Sequence, residues 1–63
     1  MIDKLFVFTY ESQGLIAVET ETEYIPATTE EFAHAVFRRR ILSYKTKLIR
    51  IIKITVYEKV KEL

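Results

Sequence analysis

The chain has 63 residues, no cysteine, 49% hydrophobic side chains and a formal net charge of +1. That length holds one domain with one small core, and the missing cysteines exclude disulfide staples, thiolate nucleophiles and cysteine-ligated zinc. The near-neutral total conceals a split: residues 1–31 carry Asp3, Glu11, Glu19, Glu21, Glu23, Glu30 and Glu31 against Lys4, whereas residues 32–63 carry Arg38, Arg39, Arg40, Lys45, Lys47, Arg50, Lys53, Lys59 and Lys61 against Glu58 and Glu62.

Ile2 to Tyr10 is rich in β-branched and aromatic residues and reads as a strand over 2–10. Glu11-Ser12-Gln13-Gly14 reads as a turn, with Gly14 suited to a positive φ. A second strand is expected over 15–25. There Ile16, Val18, Thr20, Thr22 and Tyr24 point one way and Ala17, Glu19, Glu21 and Glu23 the other. Pro26 should break this strand, and the two arms should form an antiparallel hairpin.

A helix is expected over 29–44. Thr28 is placed as its N-cap, with Glu31 three residues on completing a capping box. Glu30 and Glu31 open it and Arg38, Arg39, Arg40 and Lys45 load its end, as the helix dipole favours. Spacing at 100° puts Ala33, Val36, Phe37, Ile41 and Tyr44 on one stripe, with Phe32 at its margin. Arg40 falls inside the stripe, so its stem should pack while its head snorkels or finds a carboxylate.

Leu48 to Tyr57 reads as a third strand over 48–57, with Ile52, Ile54 and Val56 facing the core and Lys53, Thr55 and Tyr57 outward. The doublet Ile51-Ile52 breaks the alternation and calls for a bulge. A helical reading of 48–63, on Leu48, Ile52, Val56, Val60 and Leu63, is opposed by the β-branched density. Residues 58–63 turn helical or fray. The expected fold is α+β, a ββαβ chain with a three-stranded antiparallel sheet of order 2-1-3 and one helix on one face. Both outer strands would then be open, one acidic and one basic, and open edges invite pairing.

Chemistry-bearing motifs are sparse. Glu31 and His34 have Glu-x-x-His spacing, but a dinuclear site needs ligands from further helices, and there is one His. A local network of His34 with Glu30, Glu31 and Arg38 is the simpler account. Ser12 and Ser43 lie in a turn and near a helix end, with no base or oxyanion donor implied. Glu19, Glu21 and Glu23 are equivalent carboxylates, without the contrasting environments that acid–base work requires. They read as a wet sheet face or a ladder with basic side chains of a neighbouring strand. No catalytic residue, metal or cofactor is assigned.

The expectation is a non-catalytic interaction protein of the kind found among small regulators and inhibitors, viral and plasmid-encoded ones included. It would be homo-oligomeric, a dimer joined through Glu19, Glu21, Glu23, Ile51, Lys53 and Tyr57. A protein partner would be held by Arg38, Arg39, Leu42 and Lys45 on the outer helix face. The alternative is a nucleic-acid binder, with Arg38, Arg39, Lys45, Lys47, Arg50 and Lys53 on phosphates and Tyr10, Tyr24 and Tyr57 outward as stacking surfaces. The run Leu5 to Phe8 lies between Asp3 and Glu11, too short and too acidic for a signal peptide, and no run suits a membrane span. A cytoplasmic setting without membrane partners is therefore expected. The absence of Asn, with much Ile, Glu, Lys and Arg, hints at heat adaptation.

Overall fold

A computed structural model describes residues 4–58. Its elements run β1 (Lys4–Gln13), β2 (Val18–Ala27), α1 (Glu30–Ser43) and β3 (Leu48–Glu58). The sheet has the order β2-β1-β3 with both pairings antiparallel, and it is open at both edges. This is the expected ββαβ architecture. The expected helical or frayed end at 58–63 lies, beyond Glu58, outside the described residues.

The hairpin is displaced along the chain, with its turn three residues later than expected. Register pairs Phe6 with Ile25 and Ser12 with Glu19, so the connection is Gly14 to Ala17 rather than Glu11 to Gly14. Three side chains account for this. Ser12 is buried and donates its hydroxyl to Glu21 at 2.8 Å, so it belongs to β1 and not to a turn. Ile25 and Ala27 are both fully buried, so β2 runs through Pro26 instead of stopping there. Pro26 is tolerated because β2 is an edge strand, with half its amides needing no partner. Leu15 and Ile16 consequently sit at the hairpin tip, 105% and 97% exposed.

Gly14 is required by space, not by a positive φ: its backbone does not adopt one. A Cβ there would stand 2.7 Å from the Ala17 carbonyl oxygen and 2.7 Å from a Glu19 carboxylate oxygen. Its amide donates to Ala17 O at 2.9 Å, closing the loop.

The odd–even split of β2 is as expected, and the tertiary structure assigns the faces. Glu19, Glu21 and Glu23 share the helix side with Ile25 and Ala27. Val18, Thr20, Thr22 and Tyr24 line the opposite, uncovered side. On β1, Phe6, Phe8, Tyr10 and Ser12 face the helix. The core is Phe6, Phe8, Tyr10, Ile25, Ala27, Ala33, Phe37 and Ile41, with Val36, Ile51 and Ile54 packed around it. Phe37 stacks on Phe8 with ring centroids 4.5 Å apart and meets Tyr10 edge-on at 5.2 Å. Tyr10 is thus a core residue rather than an outward one. Phe32 and Tyr44, placed at the margin and on the stripe, are exposed instead: Phe32 is turned about 100° from the buried row Ala33, Phe37 and Ile41, and Tyr44 is the C-cap beyond the last helical residue.

Helix entry and exit are both capped. Thr29, one residue later than expected, accepts the Phe32 amide at 3.1 Å, since β2 reaches Ala27 and delays the start. Phe32 therefore occupies the position at which Glu31 would have completed a capping box. At the exit, Lys45 N–H donates to Leu42 O and Thr46 N–H to Ile41 O, the paired bonds of a Schellman turn. Lys45 carries the left-handed residue at φ 57°. A side chain costs energy there that glycine would not. Lys45→Gly should stabilise the chain by about 0.5–1 kcal/mol and raise its thermal midpoint by roughly 3–6 °C; a lowered midpoint in a melting scan would contradict this.

β3 departs from regular pairing twice. Register shifts fall between Thr9 and Tyr10, the bulge expected at Ile51-Ile52, and between Glu11 and Ser12, where Ile49 is the extra residue. By the pairing, Leu48, Ile51, Ile54 and Val56 face the helix side, opposite Ser12, Tyr10, Phe8 and Phe6. Ile51 packs on the core, while Ile52, expected inward, is 43% exposed beside it. The physical cause is coverage: α1 lies over β2 and β1, so β3 is left largely bare on that side.

Candidate functional site

The best-formed candidate surface is the outer side of α1. A groove of about 410 Å³ is lined by Glu31, Ala35, Arg38, Arg39 and Leu42, spaced three or four apart along one ridge of the helix. Leu42 is 74% exposed. Arg38 and Arg39 make no ion pair among the described residues, unlike Arg40 and Arg50. The surface therefore offers two free guanidinium groups around an apolar floor.

Arg40 behaves differently from its neighbours. Its Nη1 lies 2.9 Å from Glu23 Oε2 and donates to Tyr24 O at 3.1 Å. The Tyr44 hydroxyl reaches the same Glu23 oxygen at 3.4 Å. Glu21, two residues away on the same face, accepts from Ser12. Burial, with Glu21 and Glu23 close by, pushes the Tyr10 hydroxyl above its ordinary pKa, so it stays a proton donor. Of the β2 glutamates, Glu23 thus meets the helix end, while Glu19 and Glu21 stay exposed as on a wet sheet face, Glu21 bonding Ser12 of β1. The described residues show no ladder of these glutamates with basic side chains of a neighbouring strand. Part of the charge split is satisfied inside one chain: Arg40, at the C-terminal end of α1, pairs with Glu23 of β2, and Arg50 of β3 pairs with Glu11 of β1.

Lys45 does not join Arg38, Arg39 and Leu42. It borders a second cleft of about 410 Å³ with Lys47, Ser12, Gln13, Gly14, Glu19 and Glu21. Arg50 and Lys53 lie on the helix-free side of the sheet, where Arg50 Nε pairs with Glu11 at 2.8 Å across the strands. The six cations grouped for phosphate binding therefore occupy three surfaces, one of them already paired and another facing carboxylates.

The residues grouped for an oligomer interface are likewise divided. Glu19, Glu21, Glu23 and Ile51 lie on the helix side, Lys53 and Tyr57 on the other. His34 sits 3.4 Å from Glu30 and edge-on to Phe8 at 5.2 Å, while Glu31 points into the outer groove. The pair is split, and among the described residues no three His, Cys, Asp or Glu side chains converge as metal ligands would. Sequence reasoning missed the aliphatic row Leu48, Ile49, Ile52 and Val56, 40–47% exposed on β3. The doublets Leu48-Ile49 and Ile51-Ile52 were its signal, since each bulge adds an aliphatic side chain. Among the described residues no helix is long and apolar enough to cross a membrane. Compared with family models, curated proteins and solved structures, the chain matches none.

Proposed function

We propose that this chain is a non-catalytic interaction protein that self-associates through its open sheet and binds a protein partner on the outer face of α1. The observation that carries the reading is the groove of Glu31, Ala35, Arg38, Arg39 and Leu42. An exposed leucine flanked by unpaired arginines is the composition favoured where proteins meet: arginine is enriched there, and an apolar centre with a polar rim excludes water. A cytoplasmic setting agrees with a cysteine-free chain of this size. The phosphate-binding alternative has less support, because its six cations are divided among three surfaces, each of which also carries a carboxylate.

The test is affinity capture from extracts of the native cell with the wild-type chain and an Arg38→Ala, Arg39→Ala, Leu42→Ala variant. All three positions are exposed on a helix, so alanine leaves the fold intact. A protein retained by the wild type after nuclease treatment and lost by the variant supports the proposal. Identical retention by both chains overturns it. Retention only of nucleic acid, falling steeply with salt, favours the alternative.

A further inference from the structure

We propose that β3 pairs antiparallel with β3 of a second copy, about a two-fold axis at Thr55, joining two sheets into one of six strands. This rests on the self-association part of the reading above and is independent of the helix groove. Among the described residues β3 bonds only to β1, so its other edge presents free backbone donors and acceptors. The same strand carries Leu48, Ile49, Ile52 and Val56, 40–47% exposed. Pairing along this edge satisfies its free backbone groups and brings Ile54 and Val56 of one copy against Val56 and Ile54 of the other.

The other edge is unsuited. β2 holds Pro26, which lacks an amide, and three glutamates. Pairing β2 with β3 of another copy would also be head-to-tail, which closes only as a ring and otherwise grows without limit. Nor would charge favour it. In a continuous sheet with all helices on one side, the glutamates would share their face with Ile51, Ile54 and Val56 rather than with Arg50 and Lys53.

The register follows from where β3 is regular. Lys53 to Glu58 pairs with β1 without interruption, and both bulges lie before it. An axis at Thr55 uses this whole stretch. It opposes Thr55 to Thr55 and Lys53 to Tyr57 on one face, and Ile54 to Val56 on the other; all are favourable cross-strand pairs. The Thr55 axis also sets Glu58 against Ile52; an axis at Lys53 would oppose like charges, and one at Val56 would lose the Lys53–Tyr57 and Thr55–Thr55 pairs and shorten the regular seam to Ile54–Glu58. The seam would be about 24 Å long and bury on the order of 1,000 Å² in total, near the lower bound for a specific interface. The dimer should therefore dissociate on dilution.

The experiment combines sedimentation equilibrium of the wild type with oxidative cross-linking of Thr55→Cys. The chain has no other cysteine. Residues opposed across an antiparallel pair have Cα atoms about 4.5–5.5 Å apart, within disulfide reach. Face-to-face stacking would hold them about 10 Å apart, out of reach. Thr22→Cys, on β2 and the same sheet face, is the control, and circular dichroism checks that both variants fold. The expected result is a reversible wild-type dimer, with Thr55→Cys converted mostly to a covalent dimer and Thr22→Cys not. A wild-type dimer whose Thr55→Cys form stays uncross-linked overturns the β3 seam and leaves self-association standing. Cross-linking of Thr22→Cys instead moves the contact to β2 and overturns it too. A monomer at millimolar concentration removes both.

Discussion

Phe37→Ala should leave the chain unfolded at 25 °C. Phe37 is 2% exposed and is the helix's main contribution to the core, stacked on Phe8 and edge-on to Tyr10. Truncating a buried phenylalanine costs about 3–5 kcal/mol in lost transfer energy and cavity formation. A single core below about 70 residues rarely supplies more than about 3–5 kcal/mol in total. The two quantities are equal, so the substitution consumes the whole margin. Far-UV circular dichroism should show the loss of a cooperative thermal transition. Phe37→Leu, which retains most of the volume, should melt cooperatively at a lower temperature. A Phe37→Ala chain melting cooperatively within a few degrees of wild type would show that the helix is held by something other than this stack.

The second large effect is expected at Arg40. Glu23 has only 14% of its side chain exposed and lies on the same face as Glu21, so it depends on Arg40 for compensation. Arg40→Met keeps the aliphatic stem and removes the charge. Hydrogen bonds to charged groups contribute about 1.5–3 kcal/mol. The Arg40 side chain is 38% exposed, so screening lowers the expected loss to about 1–2 kcal/mol. Glu23→Gln in the Arg40→Met background should recover part of that loss, because it removes the carboxylate left without its partner. In urea denaturation the double-mutant cycle should give a coupling of about 1 kcal/mol. Additive single effects, within about 0.3 kcal/mol, would mean that the 2.9 Å contact contributes nothing to folding.

These two sites differ in how legible they were. Phe37 belongs to a stripe at helical spacing, with Ala33, Val36 and Ile41, that any 100° projection displays, and all four pack as expected. Arg40 was marked by lying inside the stripe, which left it only a carboxylate or solvent to reach. Which carboxylate it reaches is a tertiary matter, because Glu23 is 17 residues earlier. The hairpin shows the opposite case. Glu11, Ser12, Gln13 and Gly14 have turn composition, and local propensity placed the turn there. A shift of the turn by three residues changes every cross-strand partner, and burial of Ile25, Ala27 and Ser12 outweighs the local preference. Tyr10, expected outward and found buried, and Tyr44, expected on the stripe and found exposed, were exchanged for a related reason. Aromatic residues suit both a core and a surface, and only the direction of approach of the helix separates them.

The functional surface divides along the same line. Arg38, Arg39 and Leu42 share a face by helical geometry alone, and the groove they line with Ala35 and Glu31 follows from positions in one element. Lys45 was grouped with them by nearness in sequence, but the left-handed turn at that residue carries the chain toward the hairpin end. Arg50 and Lys53 continue the basic run in sequence, yet strand alternation and the bulges send them to the uncovered side of the sheet.

By itself, then, the sequence determined the order of elements and the buried stripe of the helix, because each is written in short-range periodicity, and the 2-1-3 antiparallel sheet followed from how a ββαβ chain can connect. The charge split was equally plain, but its meaning was not. Tertiary structure decided that Glu23 of β2 meets the end of α1 in the same chain, since the fold brings residues 17 and 21 positions apart together. It also decided that the helix covers β2 and β1 and leaves β3 bare. Coverage depends on where a helix of fixed length comes to rest across three strands, and no local pattern encodes that.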